Sequence, residues 1–353
     1  MGILTDILTE RRGHLGLITL NRPAALNALT TQICREMLHA LLAWREDPQV
    51  HHVAITGAGE RGLCAGGDIV AIYRDILNRD GSTEEFWRIE YQLNVLIDEY
   101  PKPFVALMDG IVLGGGIGVS AHGSHRIVTE TSRCGMPEVE IGFFPDVGGT
   151  HLLAQGDKAA GRLAALTGLK FQAADTIALG LADTYVPQEN LAQLLTELEA
   201  AEVEEVIARY KSEPEPGMLD GQWVEAFAEP SIPGILAALN ASDQSQSQIA
   251  AKALRAACPS SVRLVDQLLS SAGDDLREDL RREFRAAVNR LDDPDFAEGI
   301  RAAVIDKDRN PQWREQVGDL TSAQRTARHF APLPGAELNF ALLEQGIREK
   351  SGK

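Results

Sequence analysis

The chain has 353 residues, 44% of them hydrophobic, enough for one large core or two parts sharing an interface. Its 34 basic and 51 acidic residues leave a formal charge of −17, which argues against nucleic acid or an anionic membrane as the main partner. A small anionic ligand is still compatible, because it needs only a local cluster of donors.

The four cysteines, Cys34, Cys64, Cys134 and Cys258, lie far apart without metal-ligand spacing and read as reduced thiols. The N-terminal stretch MGILTDILTERRGHLG is interrupted by charge before any secretory or membrane-spanning run develops. The expectation is a cytoplasmic protein, or one of the mitochondrial matrix if a transit peptide has been removed.

In chain order, residues 3–9 and 14–21 are expected to form a hairpin turning at Arg12–Gly13. Pro23 ends the second strand, because it removes a donor and bends the path. Thr30 or Thr31 caps a helix of about sixteen residues whose apolar face carries Ile33, Met37, Leu41 and Leu42. A buried-type strand follows at Val53-Ala54-Ile55-Thr56. The run from Gly57 to Gly62 matches the dinucleotide pattern G-x-G-x-x-G, but no helical period follows it, so it reads as a loop. Ala65-Gly66-Gly67-Asp68 offers a backbone N–H to a ligand oxygen, and Asp68 caps a helix starting at Ile69. The adjacent His51 and His52 read as surface residues and not as a metal site.

A helix is expected over 84–100, stopped by Pro101 and Pro103, then a buried strand over 104–108. Gly114, Gly115, Gly116 and Gly118 open a further helix running to about Ala121, and 126–129 is a strand. Strand, glycine loop and helix recur after residues 20, 56 and 108, which fits a layered α/β fold. Two carboxylates, Glu138 and Asp146, follow the glycine cluster among apolar residues, Glu138 in a strand-like run. A glycine-lined backbone aimed at an anion, with buried acids beside it, is what polarising and attacking a carbonyl requires. Ser120 sits in GVSAH and not in G-x-S-x-G, so no serine-hydrolase elbow is expected.

Beyond Thr150 the strands nearly vanish. Helices are expected over 158–166, 172–179 and 189–200, one short strand over 183–186, and helix throughout from Glu202. Residues 275–291 carry Leu276, Leu280, Phe284 and Val288 as a core-facing stripe, with the Arg and Glu residues on solvated faces. The stretch 212–222 is the linker candidate.

Several motifs share an order and spacing: Asn21-Arg22-Pro23 with Asn27-Ala28-Leu29, Ala65-Gly66-Gly67-Asp68, Gly110 with Gly114-Gly115-Gly116, and Met136-Pro137-Glu138 with Gly142. On these the chain resembles the crotonase (enoyl-CoA hydratase/isomerase) superfamily. The resemblance implies a spiral of ββα units, an acyl-CoA thioester substrate and an oxyanion hole from the N–H groups of Gly67 and Gly115. It implies an acyl-CoA-binding catalytic core over 1–200 with a helical region over 201–353 packed on it. Trimers are frequent in the superfamily, which leaves homo-oligomerisation open.

One departure is informative. Hydratases of this superfamily carry two catalytic glutamates; the second matches Glu138, and the position of the first holds Gly118. Without that carboxylate, simple hydration is disfavoured. The 3-hydroxyisobutyryl-CoA hydrolase branch is resembled instead, through Pro145-Asp146 before Gly148-Gly149, Glu90-Tyr91, His122-Gly123, Leu166-Thr167-Gly168 and the tail from Asp295-Phe296 to Trp313. The resemblance implies hydrolysis of a short 3-hydroxyacyl-CoA, as in valine breakdown. Glu138 is then nucleophile or general base, Asp146 orients water or hydroxyl and shuttles a proton, and Glu90 contacts the polar end of the acyl group. Gly66, Asp68 and Gly114 complete the substrate-binding set, with no cofactor, metal, nucleic acid or membrane expected. The competing readings are an enoyl-CoA isomerase or hydratase, and a catalytically silent acyl-CoA-binding scaffold.

Overall fold

The computed structural model describes residues 5–314 and 323–348. The first strands are β1 (Ile7–Arg12) and β2 (Leu15–Leu20), an antiparallel hairpin in which Ile7 faces Leu20. The first strand thus lies further along than expected, turning at Gly13 and His14; the expected residues 3 and 4 lie outside the described residues. The next strands are β3 (His52–Gly57), β4 (Phe104–Met108), β5 (Ile111–Leu113), β6 (His125–Val128), β7 (Arg133–Gly135) and β8 (Thr184–Tyr185).

One six-stranded sheet has the order β1-β2-β3-β4-β6-β8, parallel from β2 onward, and a small second sheet pairs β5 with β7. The pairs β4–β5 and β6–β7 each place one strand in the large sheet and the next in the small one. The chain therefore steps between two layers before its next helix, which is the expected spiral of ββα units. The bridge between Cys64 and Val112 extends the small sheet back toward the first unit.

Helices close each unit. They are α1 (Thr31–Glu46), α2 (Ile69–Asn78), α3 (Ser82–Asp98), the single turn α4 (Gly115–Gly118), α5 (Gly149–Gln155) and α6 (Lys158–Thr167). Thr30 caps α1 by accepting from the Ile33 N–H, and Asp68 caps α2 by accepting from Ala71. All five residues of β4 are buried, because helices cover both faces of the parallel sheet. One face packs on α1 and α3. The other carries Leu15, Leu17, Val105, Leu107 and Ile127 against Leu194, Leu198, Val203 and Val206 of the helices Leu191–Glu197 and Val203–Tyr210.

Three expectations for the second half need correction. Helix is not continuous from Glu202, since residues 211–221 and 306–314 carry none. The stretch 212–222 is not free: the Met218 and Leu219 N–H groups donate to buried Asp175, and the Ser212 N–H to the Tyr185 carbonyl. Nor are all charges of the helix Leu276–Arg290 solvated. Asp279, Glu283 and Arg290 are buried, because the helix packs between α3 and α5 and so has more than one covered face. Arg290 donates to the Gly142 carbonyl at 2.7 Å, to Asp293 at 2.8 Å and to Ser260 at 2.8 Å. Removing one member of such a buried network strands its partners. Arg290→Met is expected to destabilise the protein by about 3 kcal/mol, read by urea unfolding.

Candidate active site

The site starts from a brace near the N-terminus. The Asn27 side chain accepts from the Arg22 N–H at 2.9 Å and donates to the Ala58 and Gly62 carbonyls at 3.1 and 3.0 Å. Arg22 donates to the Ala28 carbonyl at 2.7 Å and to Asp68 at 3.3 Å. These bonds fix the run from Asn21 to Leu29 and the loop from Gly57 to Asp68 against each other, so the glycine-rich Gly57–Gly62 is a braced loop. Leu29 then forms a parallel bridge with Gly67: the Leu29 N–H donates to the Gly66 carbonyl, and the Asp68 N–H to the Leu29 carbonyl. The bridge uses the groups on either side of Gly67 and leaves the Gly67 N–H unpaired.

The second free donor comes from α4. Gly115 is its first residue, so its N–H has no intrahelical acceptor. Among the described residues, neither the Gly67 nor the Gly115 N–H donates to a protein acceptor. The preceding glycines aim both groups. Gly66 has φ +105° and Gly114 has φ +53° with ψ −120°, conformations that a side chain resists. A Cβ added to Gly115 would stand 3.3 Å from the Gly67 nitrogen and 2.7 Å from Glu90 Oε1, so the missing side chain is what keeps the gap between the two donors open. The helix itself is one turn long. The site therefore uses the free N–H and not a helix macrodipole.

Both donors border a cavity of about 190 Å³. Its lining includes Gly66, Gly67, Gly115, Glu90, Glu138 and Asp146. Glu138 opens a 3₁₀ turn (Glu138–Ile141) and not a strand, and a Cβ on Gly114 would fall 2.5 Å from its Oε1. Glu90 comes from α3, one residue before Tyr91, whose hydroxyl donates to Asp146 Oδ2 at 2.9 Å. Glu90 Oε1 and Glu138 Oε2 are buried and have no partner. The apolar wall is a stack of rings, with Phe143 5.3 Å from Trp87 and 4.7 Å from Phe296. Phe296 and Val304 bring the helical C-terminal region into the lining; Val304 lies in a short π-helical turn (Arg301–Ile305).

Burial dominates the electrostatics. It holds the Glu138 carboxyl well above the usual range, with the Asp146 charge adding to the effect. Glu90 is raised likewise by burial and then by Asp146 and Glu138. Asp146 is pushed up to about 7 by burial, against the lowering effect of the Tyr91 hydroxyl. Three acids share one cavity of low polarity, so each binds its proton more tightly than an ordinary carboxylate does. A group in that state can give a proton as well as take one.

Two predicted site residues are outside the cavity lining: Gly114, which stands against Glu138, and Asp68, which caps α2 and pairs with Arg22. Ser120 is buried and donates to the Gly116 carbonyl at 2.6 Å, so its hydroxyl is engaged. Among the described residues no group of three or more His, Cys, Asp and Glu is arranged to hold a metal, and no helix is long and apolar enough to cross a membrane.

Gly118 explains the position of the second acid. A Cβ there would meet Val147 Cβ at 2.7 Å and Asn94 Nδ2 at 2.9 Å. The space is therefore filled by the residue after Asp146. Val147 has φ +54°, an uncommon conformation for a β-branched residue that costs about 1–3 kcal/mol. Its carbonyl meets His122 Nε2 at 2.8 Å, and burial lowers the His122 ring to about 4, so it is neutral and donates this bond. The acid missing at Gly118 and the acid present at Asp146 are thus two sides of one packing arrangement.

Two free backbone donors beside buried carboxylates, on a spiral of ββα units, form an arrangement able to stabilise charge developing on a carbonyl oxygen, and the fold is crotonase-like. The comparisons agree. Residues 15–330 match the family model described as enoyl-CoA hydratase/isomerase. Mitochondrial 3-hydroxyisobutyryl-CoA hydrolase of Mus musculus is 34% identical over 351 residues, covering 95% of this chain and 91% of that protein. The Homo sapiens protein of the same name is 33% identical over 350 residues, with coverage of 95% and 91%. Among solved structures, one described as a carnitinyl-CoA dehydratase from Mycobacterium thermoresistibile superposes with TM-score 0.91 at 41% identity, covering 95% of this chain and 98% of that one. One described as an enoyl-CoA hydratase from Rhodobacter sphaeroides gives 0.85 at 38%, with coverage of 95% and 100%. The chain belongs to the enoyl-CoA hydratase/isomerase family.

Two outcomes follow from this geometry. Gly118→Ala is expected to cost about 1–3 kcal/mol in urea unfolding by overpacking Val147, and Gly118→Glu to be less stable still and to show no crotonyl-CoA hydration. The second concerns Asp146. Its folded carboxyl binds a proton more tightly than the unfolded one, so its cost to stability accrues as pH rises from about 4 to about 7. Asp146→Asn removes that cost. Its melting temperature is expected to exceed that of the parent by several degrees at pH 8 and by less at pH 5.

Proposed function

We propose that this protein hydrolyses a short-chain 3-hydroxyacyl-CoA thioester, with 3-hydroxyisobutyryl-CoA the preferred substrate and valine breakdown the setting. The observation that carries the reading is the pairing of two unused N–H groups, on Gly67 and Gly115, with Glu138 and Asp146 in one cavity, while the position of the first hydratase glutamate, Gly118, is closed by Val147. The relatives named as 3-hydroxyisobutyryl-CoA hydrolases, aligned over 95% of the chain, support the choice of substrate.

In this mechanism the thioester oxygen sits between the two N–H groups. As the carbonyl carbon is attacked, its oxygen gains charge, and the fixed donors stabilise that charge more than the neutral ground state. Each such donor is worth a factor of about a hundred to a thousand in rate. Glu138, facing Gly114 with one oxygen unpartnered, either attacks the carbon or takes the proton of the attacking water. Collapse of the tetrahedral species breaks the C–S bond, and Asp146 gives its proton to the departing sulfur and regains one from the water consumed. Its position near neutrality suits that exchange. Where Glu138 has attacked, that water opens the acyl anhydride to free the acid and restore Glu138. Glu90, protonated by its surroundings, donates to the acyl hydroxyl. The ring wall of Trp87, Phe143 and Phe296 holds the apolar part of a short acyl group. The helical region over 201–353 is read as a cover packed on a catalytic core over 1–200.

Hydration of an enoyl-CoA needs two acids to hold and deprotonate water across the double bond, and the packing at Gly118 leaves no space for the first of them. Free thiol release from 3-hydroxyisobutyryl-CoA, run beside hydration of crotonyl-CoA, separates the two chemistries. Thiol release without hydration is expected. Glu138→Gln is expected to lower thiol release by at least about a thousandfold while leaving ester affinity within a few fold. Full activity of that variant would sink the mechanism.

A further inference from the structure

The mechanism does not use the most deeply buried acid of the C-terminal region. Glu283 lies on the helix Leu276–Arg290 and is fully buried. Its Oε2 accepts the Gly148 N–H at 2.8 Å. Its Oε1 accepts the Thr150 N–H at 3.2 Å and the Thr150 hydroxyl at 2.5 Å. All three donors lie within four residues after Asp146, on the turn that carries Val147 in its left-handed conformation and leads into α5. Glu283 is not part of the cavity lining.

Burial pushes the Glu283 carboxyl up to about 8 against the lowering effect of these three donors, and a turn with unpaired N–H groups at Gly148 and Thr150 would leave two buried donors unsatisfied. The relaxed alternative for Val147 is a negative φ, which would rotate Asp146 and the segment from Gly148 to Thr150 relative to each other. Within the turn the Gly149 N–H donates to the Asp146 carbonyl at 2.6 Å, and two side chains from outside it, among the described residues, bond the groups that follow Asp146. His122 holds the Val147 carbonyl from the core side, and Glu283 holds the next two donors from the C-terminal side. His122 supplies one bond and Glu283 three.

We infer that Glu283 is a positioning residue for Asp146: it clamps the Val147–Thr150 turn from the C-terminal region so that the Asp146 carboxyl stays against Tyr91 and in the cavity. This rests on the hydrolase reading for its kinetic consequence but not for its structural one. Glutamine at 283 keeps the size but has one acceptor oxygen and one N–H₂, so it cannot accept from both sides of the clamp. Thr150→Val removes one of the three bonds and keeps the volume.

The experiment uses the full chain with Glu283→Gln, Thr150→Val and Asp146→Asn. Thiol release from 3-hydroxyisobutyryl-CoA gives kcat and KM, and the infrared carboxyl band absent from Asp146→Asn reports the Asp146 environment without turnover. Glu283→Gln is expected to lower kcat at least about tenfold with KM within about threefold, and to shift or broaden the Asp146 band. Thr150→Val is expected to do the same to a smaller extent, and it carries the test if Glu283→Gln does not fold. An unchanged Asp146 band in the folded variants overturns the inference, as does a parallel loss of kcat and rise of KM. If the parent protein releases no thiol, the hydrolase reading fails, and the band alone decides the role of Glu283.

Discussion

Everything in this site depends on two backbone N–H groups that the fold leaves without acceptors. A buried N–H with no partner is costly, and proteins seldom keep one. Here two are kept side by side, on Gly67 and Gly115, and each is left over for a definite reason. One lies between the two bonds of a parallel bridge to Leu29. The other is the first residue of a single helical turn. The bracing by Arg22 and Asn27 holds the first loop. The small sheet, through the bridge of Cys64 to Val112, holds the first loop to the strand that feeds the second. The spiral of ββα units thereby fixes the spacing of two donors that are far apart in the chain.

The acids around these donors are arranged by exclusion as much as by attraction. At Gly118 the absence of a side chain admits Val147, and Val147 in its left-handed conformation carries Asp146 inward to Tyr91. The missing side chain on α4 and the carboxyl on the following loop are linked by contact, while the Gly115 N–H keeps its place at the start of α4. The three acids lie in a buried cavity whose low polarity raises the proton affinity of each above that of an ordinary carboxylate.

The C-terminal region is part of this arrangement and not only a cover. Phe296 and Val304 line the cavity, Arg290 bonds the Gly142 carbonyl beyond the Glu138 turn, and Glu283 bonds the turn after Asp146. Each of these residues lies well over a hundred positions from the part of the site it supports.

What the sequence determined by itself was local. Thr30 and Asp68 cap the helices they were expected to cap, because capping depends on a side chain reaching an N–H within a few residues. The buried strands and the layered α/β order were legible from apolar runs, Glu138 and Asp146 from their place after the glycine cluster, and Gly67, Gly115 and Glu90 from the family resemblance; the structure brings these five to one cavity. The tertiary structure decided what depends on residues distant in the chain. Glu283 and Arg290 flank an amphipathic stripe and looked solvated, since periodicity records only one buried face and this helix is covered on more than one. The linker-like stretch 212–222 is tied down by Asp175, a partner that composition cannot reveal. Gly118 showed in the sequence only that an acid was missing. That its place is occupied by Val147, and that this occupation is what delivers Asp146, follows from van der Waals contact between two segments that only the folded chain brings together.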